Sequence, residues 1–167
     1  MELELDKAKL YFETQGDQNK PPLVLWHGAG CTLRMWDFVV EELKKEFFTI
    51  AFDIRGTGRS INSDKSAESY SFERYSKDLN GLLDSLSIER VHIWSMAWGT
   101  RAAIAYSSLF SNKVISAVFS DASIDKADVE AQKLGLKNVG HGSILQRPDL
   151  TLNNFLDWHT QNKNKYA

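Results

Sequence analysis

Short apolar runs alternate with amphipathic stretches along most of this chain. The runs PLVLW, FFTIAF, VHIW and VISAVFS are almost continuously apolar, which is typical of strands covered on both faces of a parallel sheet. Ahead of them, LELDKAKLYFETQG alternates apolar and polar positions around a polar centre. This first stretch predicts two short strands that form an antiparallel hairpin at the N-terminus.

Helical spacing of apolar residues separates the predicted strands. Residues 33–47 repeat this spacing at Trp36, Val39, Val40 and Leu43, and residues 72–86 repeat it with Ser71 as the N-cap. An alanine-rich segment, WGTRAAIAYS, predicts a third helix. The alternation of strand and helix predicts a doubly wound α/β fold with a mostly parallel sheet.

The pattern changes after Asp121. SIDKADVEAQKLG predicts a helix that begins at Ser123 and stops at Gly135, and LKNVGHGSILQRP is typical of a loop. PDLTLNNFLDWHTQN predicts a closing helix with Pro148 in its first turn. We expect that helix to dock through Phe155, Leu156 and Trp158.

Composition and charge fit one domain over residues 1–167, because this length is too short for two ordinary domains. A net charge of −2 and scattered basic residues argue against a nucleic-acid or anionic-membrane partner. The only cysteine, Cys31, excludes an internal disulfide, and MELELDKAKLYFE is not a targeting segment. No apolar run is long enough to cross a bilayer. These features predict a cytoplasmic protein.

A tight strand-to-helix turn is predicted within VHIWSMAWGTRAA. A nucleophile elbow needs small residues two positions before and two after the reactive residue. Ser95 as the reactive residue would have Ile93 in this confined space, whereas position 97 is flanked by Ser95 and Gly99. The second frame fits, so Ala97 occupies the nucleophile position. The alternative is an ordinary turn that contains an alanine.

Three motifs follow successive predicted strands: HGAGC at 27–31, DIRGTGRS at 53–60 and SMAWG at 95–99. In this order and spacing, residues 1–122 resemble the α/β-hydrolase superfamily. WGTRAAIAYS is similar to the proline iminopeptidase and related esterase branches. The resemblance implies a serine-type hydrolase that cleaves ester, lactone or amide bonds of a small molecule and needs no cofactor.

The resemblance also implies an oxyanion hole, formed by the amides of Ala29 and Trp98 with Gly28 and Gly30 leaving room for substrate. Such glycines can equally be simple turn formers. It assigns His27 to the scaffold of the same loop. We expect structural roles for other polar and reactive residues: Asp53, Arg55, Ser60, His92 and Cys31. The four histidines are dispersed, which predicts no metal site.

Two further residues complete the implied machinery. His141 stands in a Gly-His turn ahead of Pro148, as the catalytic base does in this superfamily, although a lone loop histidine can be a bystander. Asp121, at the end of the sixth predicted strand, is the candidate acid. The alternative for Asp121 is that it caps the strand end or the next helix.

The resemblance has a gap near residues 130–139. About twenty residues separate the sixth strand from His141, too few for a cap, a strand–helix pair and an acid loop. We therefore expect 123–140 to be a shortened junction in a fold that lacks the cap. The gap is natural, engineered or the mark of an incomplete sequence.

Three readings remain open. The chain is a truncated hydrolase inactivated at Ala97, a non-catalytic small-molecule binding or signalling module that reuses the pocket, or a fragment that does not fold alone. In the last case, a sheet that ends at the sixth strand would expose an apolar edge and favour self-association.

Overall fold

The computed structural model describes residues 1–121 and 148–162. Its strands are β1 (Glu2–Leu5), β2 (Ala8–Gln15), β3 (Pro22–Trp26), β4 (Phe48–Phe52), β5 (Ile61–Asn62), β6 (Val91–Met96) and β7 (Val114–Ser120). Its α-helices are α1 (Val40–Leu43), α2 (Phe72–Ser85), α3 (Trp98–Leu109) and α4 (Pro148–Asn162). Short 3₁₀ helices span Leu33–Trp36, Ala67–Tyr70 and Ser111–Lys113.

The strands of the described residues form one mixed sheet in the order β1-β2-β4-β3-β6-β7. β3, β4, β6 and β7 run parallel to one another, whereas β2 runs antiparallel to both β1 and β4. The two-residue strand β5, which the sequence did not predict, pairs with β2. The mostly parallel α/β sheet and its N-terminal hairpin are confirmed.

Apolar side chains form a core on each face of the sheet. In β3, Leu23 and Leu25 point into the first core, and Val24 and Trp26 point into the second. α1 and α4 cover the first face, and α2 and α3 cover the second. This two-sided cover explains why the central strands are continuously apolar.

The prediction of one continuous helix over residues 33–47 is wrong. This segment is divided into the 3₁₀ helix Leu33–Trp36 and the single turn α1. Thr32 Oγ1 accepts the Arg34 amide at 3.3 Å and so starts a 3₁₀ turn, and Val39 has φ −129°, outside the helical range. The β-branched Val39 disfavours helix continuation at this point.

α2 and α4 agree with their predicted bounds. Ser71 Oγ caps α2 by accepting the Arg74 amide at 3.2 Å. Phe155 of α4 is buried in the first core, and Leu156 packs against it. In the part of the chain that is described, no helix is both long and apolar enough to cross a membrane.

Several predictions fall on residues 122–147, outside the described residues. They are the helix from Ser123 to Gly135, the shortened junction 123–140 and the position of His141.

Candidate active site

The chain reverses sharply at Ala97, between the last residue of β6 and the first of α3. Ala97 has φ 51° and ψ −121°, a conformation that costs an alanine about 1–3 kcal/mol. Its N–H donates to Ser120 O at 2.8 Å, and its carbonyl accepts the Thr100 amide at 3.1 Å. These two bonds hold the strained turn against β7 on one side and α3 on the other.

Two glycines permit the close packing around this turn. A Cβ on Gly99 would lie 3.0 Å from Trp26 O and even closer to His27 O, so no larger residue fits without moving backbone. A Cβ on Gly28 would lie 3.3 Å from both Ala97 Cβ and Met96 O. The loop after β3 is therefore packed directly against position 97.

Ser95, the other candidate nucleophile, is fully buried within β6. Its Oγ lies 3.2 Å from Thr100 Oγ1 and 3.3 Å from Val118 O. Ser95 thus connects β6 to α3 and β7 inside the fold and is not presented at the turn.

His27 holds the loop that carries Gly28 and Ala29. Its Nε2 accepts the Ile54 amide at 3.0 Å, so Nδ1 carries the proton and donates to Gly28 O at 2.8 Å. Burial lowers the pKa of His27, and the hydrogen bond to Gly28 opposes this effect only in part. A neutral imidazole with both nitrogens bonded is a scaffold residue.

The same loop turns tightly over Gly30. The Cys31 amide donates to Gly28 O at 3.2 Å, and Gly30 has φ 70°, which favours glycine. Ala29, at the tip of this turn, is exposed. Cys31 is half-buried and packs against the first core, as expected for a small apolar residue.

Asp53 joins two loops beneath the site. Its carboxylate accepts the amides of Leu33 at 2.7 Å and Arg59 at 2.8 Å, one on each oxygen. Ser60 Oγ donates to Asp53 O at 2.6 Å and accepts the Tyr11 amide at 2.8 Å. The structural roles predicted for Asp53 and Ser60 are confirmed by these bonds.

Arg55 anchors the loop after β4 through a buried ion pair. Its Nε and Nη2 donate to the two oxygens of Asp78, each at 2.7 Å, and Nη1 donates to Asn62 Oδ1 at 3.2 Å. The hydrogen bonds that Arg55 donates to Asp78 raise the pKa of Arg55. The paired geometry is typical of a strong buried contact.

Trp98 begins α3 immediately after the turn. Amides in the first turn of a helix have no acceptor within the helix and lie at the positive end of its dipole. The indole ring packs against α2, with its centroid 5.5 Å from that of Phe72 and 5.4 Å from that of Tyr75. The side chain thus lies on α2, while the backbone amide is located beside Ala97.

Asp121 follows β7 directly and is half-buried, with φ 53°. It is one residue beyond Ser120, whose carbonyl accepts the Ala97 amide, so it lies at the same edge of the sheet as the turn. Gly28 is packed against the methyl group of Ala97, and Trp98 follows Ala97 in the chain. A methyl group offers no nucleophile.

The sequence model of the alpha/beta hydrolase fold matches residues 21–139. This chain belongs to that family. Its curated relatives include the proline iminopeptidase of Lactobacillus helveticus (strain DPC 4571), which is 28% identical over 127 residues, or 74% of this chain and 43% of the relative. A rhodomycin D methylesterase of Streptomyces peucetius is 30% identical over 96 residues, covering 56% of this chain and 32% of the relative.

Among solved structures, the enol-lactonase of Burkholderia xenovorans superposes on this α/β-hydrolase chain with a TM-score of 0.68 and 25% identity. The superposition covers 73% of this chain and 46% of the lactonase. The chain thus spans less than half the length of these relatives.

Some residues around the site were not anticipated from the sequence. Trp94 Nε1 donates to Ser120 Oγ at 2.9 Å, next to the carbonyl that holds Ala97. That contact depends on the register of β6 and β7, which no local pattern reveals. Among the side chains that are described, no three His, Cys, Asp or Glu residues come together as a metal site.

Proposed function

We propose that this chain is an α/β-hydrolase whose parent enzyme cleaves ester, lactone or amide bonds of a small molecule, and that Ala97 makes it inactive. The observation that carries the proposal is the strained backbone of Ala97, packed against Gly28 at the start of α3. Strain of this kind is retained where the surrounding structure specifies it, and it is concentrated at functional positions.

The proposed chemistry is acyl transfer. A hydroxyl at position 97 would attack a carbonyl carbon, and the amides of Ala29 and Trp98 would stabilise the resulting oxyanion. His141 would accept the hydroxyl proton and return it to the leaving group, with Asp121 as the candidate acid that orients it. A methyl group has no lone pair, so the first step does not occur in this chain.

The names of the three relatives support the proposed bond classes. Cleavage by an iminopeptidase, a methylesterase or a lactonase passes through a tetrahedral intermediate at a carbonyl. One oxyanion hole serves all three reactions, and the group around the carbonyl distinguishes them. Short esters, a γ-lactone and a proline anilide therefore form the substrate panel.

The test is to introduce Ala97→Ser and to measure hydrolysis of p-nitrophenyl acetate, γ-butyrolactone and proline p-nitroanilide. The rates are compared with those of the unchanged Ala97 chain, called the parent chain below. We expect a gain of at least about tenfold for one substrate, because triad-dependent turnover normally exceeds the residual level by far more. The gain should disappear when His141→Ala is added. Ser95→Ala in the same background is the matched control, and it should keep the gain if the protein stays folded.

A fluorophosphonate probe gives a readout that does not need turnover. The Ala97→Ser chain should gain the mass of one phosphonyl group, located at position 97 by peptide mapping, while the parent stays unlabelled. A variant that is folded, shows no gain on the panel and takes no label would contradict the catalytic proposal.

A second candidate function is a non-catalytic binding or signalling module. It is favoured by the same turn, because Ala97 keeps a conformation that costs about 1–3 kcal/mol without presenting any reactive atom. Calorimetric titration with lactone or ester ligands distinguishes the two. Saturable binding to the parent, with no turnover or labelling after Ala97→Ser, would favour the module. Binding that is followed by turnover would favour the hydrolase.

A further inference from the structure

A cavity of about 540 Å³ lies at the end of the sheet where β6 and β7 begin. Its walls come from the end of α2, the loop that leads into β6 and the 3₁₀ helix that precedes β7. The six residues of β6, at about 3.3 Å each, separate this cavity from the turn at Ala97 by about 20 Å. The cavity is therefore distinct from the candidate active site, and its volume is typical of a small-molecule site.

Four charged residues line the cavity, and two of them neutralise each other. Lys113 Nζ contacts Asp84 Oδ1 at 2.5 Å, which joins the end of α2 to the start of β7. Glu89 and Arg90 are both exposed, and no ion pair within the described residues involves either of them. One negative and one positive group, adjacent in the chain, are thus available at the same cavity.

Ser87 adds a hydroxyl group to the cavity wall. It follows the end of α2 with φ 58°, in the left-handed region where glycine is preferred. Its amide donates to Asp84 O at 3.0 Å, and the Ile88 amide donates to Leu83 O at 2.9 Å, as in a helix that normally ends with glycine. Ser87 Oγ lines the cavity and makes no hydrogen bond to the residues that the structure describes.

The cavity also has an apolar wall. Ile88 is partly buried, packs against the second core and lines the cavity as well. A ligand that fits these walls therefore carries one negative group, one positive group and an apolar part.

We propose that this cavity binds a free α-amino acid with an aliphatic side chain. Arg90 and the hydroxyl of Ser87 bind its carboxylate, Glu89 binds its ammonium group, and Ile88 contacts its side chain. Glu89 would repel a ligand that is only an anion, and Arg90 would repel one that is only a cation, so a zwitterion is preferred. The inference rests on the fold alone and is independent of the catalytic proposal.

An NMR titration of the ¹⁵N-labelled full chain with L-leucine tests the ligand class. At about pH 6, where an α-amino group is protonated, we expect saturable shifts of the Ser87, Arg90 and Asn112 amides. N-acetyl-L-leucine and L-leucinamide each lack one charge and should bind at least about tenfold more weakly, because one charged hydrogen-bond partner is lost. Equal affinity for L-leucine and either blocked form would overturn the zwitterion assignment.

Charge-removing variants test the two residues that bind the charges. Arg90→Gln and Glu89→Gln should each weaken L-leucine binding at least about tenfold. Both side chains are exposed, so Tm should stay almost unchanged. Arg59→Gln, in the loop after β4, and Glu68→Gln, ahead of α2, are matched controls at exposed positions and should leave the affinity unchanged. Unchanged affinity in Arg90→Gln would overturn the proposal.

Ser87→Gly separates binding from stability. Glycine suits the left-handed backbone, so Tm should stay the same or rise, whereas loss of the hydroxyl should weaken L-leucine binding. Shifts centred on Ala97 and Trp98 would place the ligand in the candidate active site and contradict the cavity assignment. The absence of saturable shifts up to about 20 mM, enough to detect a millimolar Kd, would contradict it as well.

Discussion

The ring of Phe155 stacks on the ring of Trp94, with centroids 4.3 Å apart and planes 5° from parallel. Trp94 belongs to β6, and its indole N–H donates to Ser120 beside the turn at Ala97. α4 is thus docked on the strand that leads into the candidate site. This stack connects α4, through Trp94 and Ser120, to the turn at Ala97.

We predict that Phe155→Ala removes α4 from the sheet. A buried Phe→Ala change costs about 3–5 kcal/mol, and Phe155 also contacts Phe47 at 5.8 Å between centroids. Thermal unfolding followed by circular dichroism should show a clear fall in Tm. Asn153→Ala, an exposed change on the same helix, should leave Tm almost unchanged. Equal Tm values for the two variants would exclude docking through this stack.

Gly99→Ala should destabilise the fold by about 1–3 kcal/mol or more, because the new Cβ meets the rigid backbone carbonyls of His27 and Trp26. Gly81→Ala is the control. Its Cβ would meet only the flexible end of Leu5 at 2.9 Å, and alanine is a better helix former. In urea unfolding, the free energy of unfolding should be clearly higher for Gly81→Ala than for Gly99→Ala. The reverse order would disprove the close approach of α3 to β3.

Asp53→Asn should lower the free energy of unfolding by about 1–3 kcal/mol. The carboxylate accepts two backbone amides, and an asparagine NH₂ would direct a donor at one of them. Asp37→Asn, at an exposed position, is the matched change with little expected effect. Chemical denaturation of both variants measures the difference. A fall in the free energy of unfolding for Asp37→Asn but not for Asp53→Asn would contradict the role of Asp53 in joining the two loops.

Stability should fall on acidification because of His92. Burial, then the nearby His159 and Arg90, lower its pKa to about 4, compared with about 6.5 in the unfolded chain. Between these values the unfolded state binds more protons, so the free energy of unfolding decreases as pH falls from about 6.5 toward about 4. His92→Gln should reduce this slope in melts at pH 5 and pH 7, and an unchanged slope would assign it to other groups.

The sequence predicted the central strands because burial on both faces leaves a continuous apolar run. It also predicted the sharp turn, since only the frame with Ser95 and Gly99 around Ala97 keeps small residues in the tight space. The structure has both features, and it shows His92 bonded to Ser116 Oγ at 2.8 Å inside the sheet, as expected for a core histidine.

The errors have two sources. The helix over residues 33–47 is interrupted although its apolar spacing is helical, because Val39 has φ −129°, outside the helical range. β5 has two residues, too few for any periodicity. The contact between Trp94 and Ser120 likewise depends on strand register. Local pattern cannot supply such tertiary information.

The conformation at position 97 has a consequence for how this gene can change. Alanine and serine codons can differ by a single base, and the main chain already adopts the geometry in which a side chain is displayed at the turn. A point mutation would therefore add a hydroxyl there without any rearrangement of the neighbouring strands. A single base change would thus be enough to place a hydroxyl group at the turn.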